Sequence, residues 1–172
     1  AQARALINGN NRDFIYIKHG PGLGAAIICN GYLLTGADNK AGELEHTYYM
    51  EDKKNLEELL AENNLIADYT ADAGFSGSIK DLYALFKKDI KATEFLSRRL
   101  NALSSSIVNA IALFNPQAVL ASGGLFDNDS IYSTITEAVT ARCKVRFERI
   151  ESAIRIKSIA GAGLVFDNIL FR

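Results

Sequence analysis

The hydrophobic pattern begins with short runs that are typical of buried strands. Residues 14–17 are aromatic and β-branched, and residues 25–29 form a second apolar run. Runs of this length and type predict strands inside a sheet. Asn30-Gly31 follows the second run and favours a tight hairpin into a third strand at residues 32–35. The first third of the chain is therefore predicted to be an antiparallel meander of three strands.

The pattern then changes towards helical spacing. Residues 44–50 are compatible with a fourth strand, although their alternation leaves no clearly apolar face. Leucines recur at roughly helical spacing in residues 56–66, and Ser78 is a suitable N-cap for a further helix. We therefore expect a fourth strand and two helices in this part of the chain.

The most regular stripe covers residues 93–114. Its apolar positions recur at steps of three and four and form one continuous face: Leu96, Leu100, Leu103, Ile107, Ile111 and Phe114. Asn115-Pro116 ends this helix. The rest of the chain predicts five further segments: a strand at 118–121, a helix at 128–142, a strand at 145–150, an alternating run at 154–156 and a last helix opened by residues 161–163. This order predicts a mixed α/β fold and a single domain over residues 1–172.

Composition and charge narrow the class of protein. The 172 residues are 48% apolar and carry a net charge of −1, so no basic field points to a nucleic-acid or membrane surface. No apolar run reaches about 18 residues and no signal peptide is present, so we expect a cytoplasmic protein. Cys29 and Cys143 are expected to be buried free thiols. Because the chain starts at Ala1 rather than Met, we expect a fragment or a trimmed form.

Two glycine-rich turns are candidates for ligand contact. Gly20, Gly22 and Gly24 separate the first two predicted strands, and Gly123-Gly124 follows the strand at 118–121. Glycines let the backbone approach a ligand, and successive N–H groups can form an anion nest. Pro21 removes one donor from such a nest. On spacing alone, a plain hairpin with positive φ is the favoured explanation of the first turn, and a helix-entry turn explains the second equally well.

Glu43 and His46 are the candidate pair of polar side chains. A carboxylate that accepts hydrogen bonds from hydroxyls, beside an imidazole that can donate or accept, suits a polyhydroxylated ligand. The pair could also be metal ligands or an ordinary surface pair. With no cysteine nearby, we assign no metal. Glu57 and Glu58 are typical of a solvated helix face. No triad-like spacing occurs, so we assign no catalytic residue and no cofactor.

The segments GPGLG, NG and AGELEH, in that order, resemble the ROK family of bacterial sugar kinases and sugar-responsive transcription regulators. NPQAVLASGG resembles the family's strand that leads to a Gly-Gly step beside the nucleotide, and IAGAGLVFDNIL resembles its closing helix. The resemblance covers nearly the whole chain. It implies the actin-like ATPase, ribonuclease H-like fold, and specifically the C-terminal half of a ROK domain without its N-terminal half or any DNA-binding segment.

The resemblance also implies roles for individual residues. Glu43 and His46 would bind sugar hydroxyls, and Glu57 would be a second sugar-binding glutamate. The two glycine-rich turns would correspond to phosphate-contacting and nucleotide-contacting turns. Kinase members carry an Asn-Asp pair whose Asp is the catalytic base, and Ala1-Gln2 would replace it here. Since Gln2 cannot accept a proton at neutral pH, no catalytic base is identified.

Two departures from the family pattern affect the predicted function. The family's cluster of zinc-binding cysteines would fall between His46 and Glu57, where this chain has no cysteine, and Glu45 replaces the glycine before the histidine. Glu45 is expected to crowd or recharge the sugar pocket. We predict the non-catalytic, effector-binding half of a ROK-type transcription regulator, with a sugar or sugar phosphate as effector.

This interpretation has consequences for partners and leaves two alternatives. DNA would be contacted only through a segment outside this chain, no membrane would be involved, and the protein would be a homo-oligomer. The first alternative is a fragment of a ROK sugar kinase that phosphorylates a hexose with ATP. The second is a structural or dimerisation module with a degenerate sugar pocket.

Overall fold

The computed structural model describes residues 12–150. The predictions for Ala1-Gln2, for the run at 154–156 and for the last helix lie outside the described residues. Among residues 12–150, a five-stranded sheet has the order β3-β2-β1-β6-β7, and a separate two-stranded hairpin pairs β4 with β5. The strands are Phe14–His19 (β1), Leu23–Cys29 (β2), Tyr32–Leu33 (β3), Tyr48–Tyr49 (β4), Lys54–Asn55 (β5), Ala118–Ser122 (β6) and Arg146–Arg149 (β7).

The helices lie between the hairpin and the last strand. A short 3-10 helix, Leu44–His46, precedes them. The α-helices of the described part are Leu56–Leu60 (α1), Glu62–Ala73 (α2), Ile79–Leu85 (α3), Ile90–Phe114 (α4), Gly124–Asp127 (α5) and Asp129–Thr140 (α6). Ser78 caps α3, as the sequence predicts, because its hydroxyl accepts a hydrogen bond from the Asp81 N–H.

The central strand β1 organises the sheet. It pairs antiparallel with β2 and parallel with β6, and β6 pairs parallel with β7. Both of its faces are buried, with Ile15 and Ile17 in the larger core and Phe14 and Tyr16 in a smaller cluster on the opposite face. The predicted mixed α/β sheet with an antiparallel meander is therefore confirmed. The carboxyl ends of β1 and β6 meet at one edge, which is where ligands bind in open α/β sheets.

Helix α4 supplies most of the core on the larger side of the sheet. It begins at Ile90, three residues before the predicted start, because the Asp89 carboxylate accepts a hydrogen bond from the Ala92 N–H. It ends where Asn115 adopts a left-handed backbone with φ of 44°. The predicted stripe faces inward and is buried from Leu96 to Ile111, while Phe114 is partly buried.

Two predictions about secondary structure are wrong. Residues 44–50 form the 3-10 helix and the two-residue strand β4 instead of one strand, because Gly42 (φ 83°) turns the chain and the Leu44 N–H bonds the Gly42 carbonyl. Residues 56–66 form two helices instead of one, since Ala61 adopts an extended ψ of 134° between them. The two cysteines are free, as predicted, but half-buried.

Replacing Leu103 by alanine tests the assigned core face of α4. Leu103 is 0% exposed, so its truncation should lower the free energy of unfolding by about 3 kcal/mol through lost burial and a cavity. Leu113 lies on the same helix and is 77% exposed, so Leu113→Ala should change the free energy of unfolding by less than about 0.5 kcal/mol. Urea denaturation of both variants measures the difference, and equal losses would contradict the assignment.

Candidate functional site

The 3-10 helix brings Glu43 and His46 together. Gly42 has a φ of 83°, and a Cβ at this position would lie 3.2 Å from the backbone N of Ile27, so only glycine lets the segment lie this close to β2. One turn later, Glu43 Oε2 lies 3.4 Å from His46 Nε2. The two side chains are 37% and 57% exposed. They are therefore in contact and open to a ligand in solvent.

The β4–β5 hairpin brings Glu57 back to the same region. Tyr48 pairs with Asn55 across the hairpin, and the Leu56 N–H donates to the Thr47 carbonyl at 3.1 Å. His46 and Glu57 therefore flank one backbone hydrogen bond, although they are well separated in sequence. The hairpin accounts for the proximity of the predicted sugar-binding residues.

The neighbouring Glu58 has a structural role. Its carboxylate accepts from the Asn55 N–H at 2.8 Å, and the Asn55 side chain accepts from the Glu58 N–H at 2.8 Å. This reciprocal capping box begins α1 and satisfies two N–H groups that the helix leaves unpaired. Of the two adjacent glutamates, Glu57 is therefore the one whose carboxylate is not used in the cap.

The Gly20–Gly24 turn is a compact hairpin with a glutamate beside it. The Gly20 N–H donates to the Gly22 carbonyl at 2.9 Å, and Gly24 already lies in β2. None of these three glycines adopts a left-handed φ, so positive φ is not what requires them. A Cβ on Gly22 would instead lie 2.9 Å from Glu57 Oε1. A carboxylate at this position disfavours an anionic phosphate on the turn.

The glycine pair after β6 makes room for His19. A Cβ on Gly124 would lie 2.5 Å from His19 Nδ1 and 2.8 Å from Glu62 Oε1, and one on Gly123 would overlap the His19 carbonyl oxygen. Gly123 also has a φ of 84°. Both glycines are therefore packed against protein groups, which favours the interpretation of the pair as a helix-entry turn.

His19 is the residue of this region that the sequence did not reveal. It is 1% exposed, and its Nε2–H donates to the Leu60 carbonyl at 2.7 Å. The Leu125 N–H donates to Nδ1 at 3.2 Å, which fixes the neutral tautomer. Burial lowers the pKa of the imidazole to about 4. The only local signal was its position, at the end of an apolar strand and before the glycine turn.

Glu45 lies next to the Glu43–His46 pair, but its carboxyl is turned towards β2. Burial raises the pKa of the Glu45 carboxyl, while hydrogen bonds to the backbone of Glu45 and Ala25 and the charge of His46 partly offset that shift. Its Oε2 atom has no hydrogen-bond partner among residues 12–150. Glu45 therefore adds a half-buried acid behind the Glu43–His46 pair.

A cavity of about 290 Å³ borders Glu43. It lies between the 3-10 helix and the C-terminal half of α4, with Lys40 and Asn109 among its polar residues and Ile15, Ile27 and Leu113 among its apolar ones. A mostly apolar cavity with a few polar groups is typical of small-molecule sites.

The segment between His46 and Glu57 does not suit a zinc cluster. Residues 47–55 contain no cysteine or histidine, the Asp52 carboxylate pairs with Arg98, and Lys54 adds a cation. A structural zinc site needs four ligands, which are cysteine and histidine side chains. Among the described residues, no three His, Cys, Asp or Glu side chains are grouped so that they could hold a metal ion. Residues 47–55 therefore do not offer the ligand set of a structural zinc site.

Comparison with known proteins identifies the family. The model of the ROK family matches residues 3–165. The chain belongs to the ROK family. An N-acetyl-D-glucosamine kinase from Pectobacterium atrosepticum is 27% identical over 155 residues, which cover 78% of this chain and 51% of the kinase. The chain spans about half the length of the curated relatives that it matches.

Solved structures show the same fold. A ROK hexokinase from Thermus thermophilus matches with a TM-score of 0.82 at 20% identity, over 95% of this chain and 61% of the hexokinase. A ROK family transcriptional regulator, a homologue of the E. coli MLC protein, matches with a TM-score of 0.76 at 23% identity, over 95% of this chain and 49% of the regulator. The predicted actin-like ATPase fold is thus confirmed. Within residues 12–150, no helix is both long enough and apolar enough to span a membrane.

The buried His19 predicts that stability falls in mild acid. An unfolded histidine takes up a proton near pH 6.5, whereas His19 in the folded protein does so only near pH 4. The stabilisation that the neutral His19 ring gives the folded protein is therefore complete above about pH 6.5 and is lost as the pH falls towards 4. The free energy of unfolding should fall by about 3 kcal/mol in total over this range. His19→Gln should flatten this part of the curve of unfolding free energy against pH. His46→Gln, which removes the other histidine, is the control, and an unchanged curve in His19→Gln would contradict the prediction.

The packing of the glycine pair predicts a strong effect at Gly123. Gly123→Ala should lower the free energy of unfolding by at least about 2 kcal/mol, because it combines a left-handed φ with an overlap on His19. Gly24→Ala is the matched control, since no described atom lies within 4 Å of its Cβ. Chemical denaturation measures both variants. A Gly123→Ala protein as stable as Gly24→Ala would show that the contact with His19 is not required.

Proposed function

We propose that this chain is the effector-binding, C-terminal half of a ROK domain in a transcription regulator, and that it does no chemistry. A sugar or sugar phosphate would be held by Glu43, His46 and Glu57 through its hydroxyl groups. The observation that supports the proposal best is that the 3-10 helix and the β4–β5 hairpin bring these residues to one region. Carboxylates and imidazoles pair well with the adjacent hydroxyls of a sugar ring.

The relatives support a carbohydrate ligand. Four of the curated relatives are N-acetyl-D-glucosamine kinases, and each matches this chain over about half of its own length. N-acetyl-D-glucosamine is therefore the first sugar to test, together with its 6-phosphate. Those names equally favour the second candidate, a fragment of a sugar kinase that transfers phosphate from ATP to a hexose.

The chemistry of the two glycine-rich turns favours the non-catalytic proposal over the kinase. Phosphoryl transfer needs N–H donors and cations around the phosphates. Here Pro21 lacks an N–H, Glu57 lies on the β1–β2 turn, and His19 with Glu62 lies against Gly124. These groups leave little positive potential for a nucleotide at the sheet edge.

The proposed mechanism is a shift between two conformations. The two conformations are an open and a closed arrangement of the two halves of the domain. A ligand that contacts both halves favours the closed arrangement only by the difference between its affinities for the two arrangements. Closure would then reposition a DNA-binding segment outside this chain. In this proposal the protein acts in the cytoplasm as a homo-oligomer, where the sugar signal and the DNA are both accessible.

Calorimetric titration of the complete protein tests the assigned site. Glu43→Ala and His46→Ala should each weaken binding of N-acetyl-D-glucosamine, or of its 6-phosphate or glucose, by about tenfold or more, because each removes a hydrogen bond to a sugar hydroxyl. Glu94→Ala, an exposed glutamate on the first turns of α4, is the control and should bind as the unaltered protein does.

Three results would overturn parts of the proposal. Unchanged affinity in both variants would mean that the site assignment is wrong. Turnover in an assay with ATP and a hexose would identify a kinase. Binding of no sugar in the panel would favour a structural module with a degenerate pocket.

A further inference from the structure

The β4–β5 hairpin is too small to hold its own position. Each strand has two residues, so the hairpin contributes only the pairs Tyr48–Asn55 and Tyr49–Lys54. Isolated two-stranded hairpins are at best marginally stable in water. Tyr49 packs against the hydrophobic core, but Tyr48 is 57% and Met50 is 79% exposed, so one aromatic side chain supplies most of the apolar contact of the hairpin. Other contacts must therefore fix the hairpin on the domain.

Polar contacts to α2 and α4 supply that attachment. The Tyr49 hydroxyl donates to the Ala102 carbonyl on α4 at 2.8 Å. The Asp52 carboxylate in the turn pairs with Arg98 on α4. Lys54 Nζ lies 3.3 Å from Asp68 Oδ2 on α2, and Arg99 Nη2 on α4 lies 2.8 Å from the same oxygen.

These ion pairs are better placed than isolated surface pairs. The side chains of Asp52 and Arg99 are only 16% and 12% exposed. Arg99 also lies over the Phe95 ring, 3.5 Å from its centroid, which fixes the guanidinium before it meets Asp68. Exposed single pairs contribute little, whereas partly buried pairs contribute more, and pairs that share a carboxylate lose less side-chain entropy.

We propose that these ion pairs form a clamp that sets the spacing of His46 and Glu57. The hairpin clamp is defined as Asp52–Arg98, Lys54–Asp68 and Arg99–Asp68. His46 lies immediately before the hairpin and Glu57 immediately after it, so any loosening of the hairpin moves the two side chains relative to each other. Residues 47–55 offer no cysteine or histidine as a metal ligand, whereas Asp52 and Lys54 attach this segment to the helices by charge. The effect on sugar binding rests on the proposed function, whereas the effect on the hairpin does not.

A charge clamp and a metal site respond differently to solution conditions. At about 1 M salt the Debye length falls to about 3 Å, so the partly exposed pairs weaken. A chelator removes no ligand from an ion pair. Salt should therefore loosen the hairpin, and a chelator should leave it unchanged.

Hydrogen exchange of the complete protein, without ligand, tests the clamp directly. The Arg98 side chain is 60% exposed, so Arg98→Glu should fold, yet it should speed amide exchange in residues 47–55 by about fivefold. Adding Asp52→Lys should restore the rate to within about twofold of the unaltered protein. Lys91→Glu, an exposed charge reversal on the same helix, is the control, and α6 is the internal reference.

The outcomes separate the clamp from the proposed function. Unchanged exchange in Arg98→Glu, no rescue in the double variant, or loosening by a chelator but not by salt would each overturn the clamp. A titration with N-acetyl-D-glucosamine then measures the effect of the clamp on sugar affinity. Arg98→Glu should weaken binding of the sugar, and the double variant should restore it. If no variant binds this sugar while exchange responds as expected, the clamp stands and the assumed ligand fails. If sugar affinity is unchanged while the hairpin loosens, the clamp does not set the site.

Discussion

The two hydrogen bonds of His19 join parts of the fold that are remote in sequence. His19 ends β1, the central strand, and its ring lies between the Leu60 carbonyl at the end of α1 and the Leu125 N–H in α5. The bond from the Leu125 N–H requires the neutral ring, because a protonated Nδ1 cannot accept, and burial keeps the ring neutral at physiological pH. Because the ring is 1% exposed, loss of either bond would leave a buried polar group unpaired, which costs more than the bond itself contributes. The edge of the sheet, where a ligand would lie, therefore has one arrangement and not several.

This constraint accounts for the electrostatic character of the sheet edge. Packing of α1 and α2 against His19 brings Glu57 to the β1–β2 turn and Glu62 to Gly124. Both glycine-rich turns that the sequence singled out thus have a carboxylate beside them. A neutral, hydroxyl-rich ligand can accept this environment by donating hydrogen bonds, whereas a phosphate meets like charge. Gly123 and Gly124 are required here because His19 approaches them closely, whereas no described atom lies within 4 Å of a Cβ at Gly20 or Gly24.

The sequence predicted the parts of the structure that depend on local periodicity. The stripe on α4, the burial of β1 and the Ser78 cap follow from side-chain spacing and were confirmed. Residues 44–50 were predicted wrongly because the turn at Gly42, and not the alternation of side chains, decides their conformation. The contact of Glu43 with His46 follows from their spacing in one turn. The position of Glu57 depends on the hairpin, and the role of His19 depends on contacts with Leu60 and Leu125, which no local pattern encodes.

Helix α1 shows why the sheet edge and the hairpin belong to one system. A five-residue helix cannot be stable alone, because nucleation costs more than so few hydrogen bonds return. At its start, α1 is held by the Asn55–Glu58 capping box and by the bond from Leu56 to Thr47. At its end it is held by His19, and Leu56, Leu59 and Leu60 are buried beneath it. Glu57 lies in the first turn between these two attachments. Its position is consequently set jointly by the charges that fix the hairpin and by the buried imidazole, so a change at either end should reach the same carboxylate.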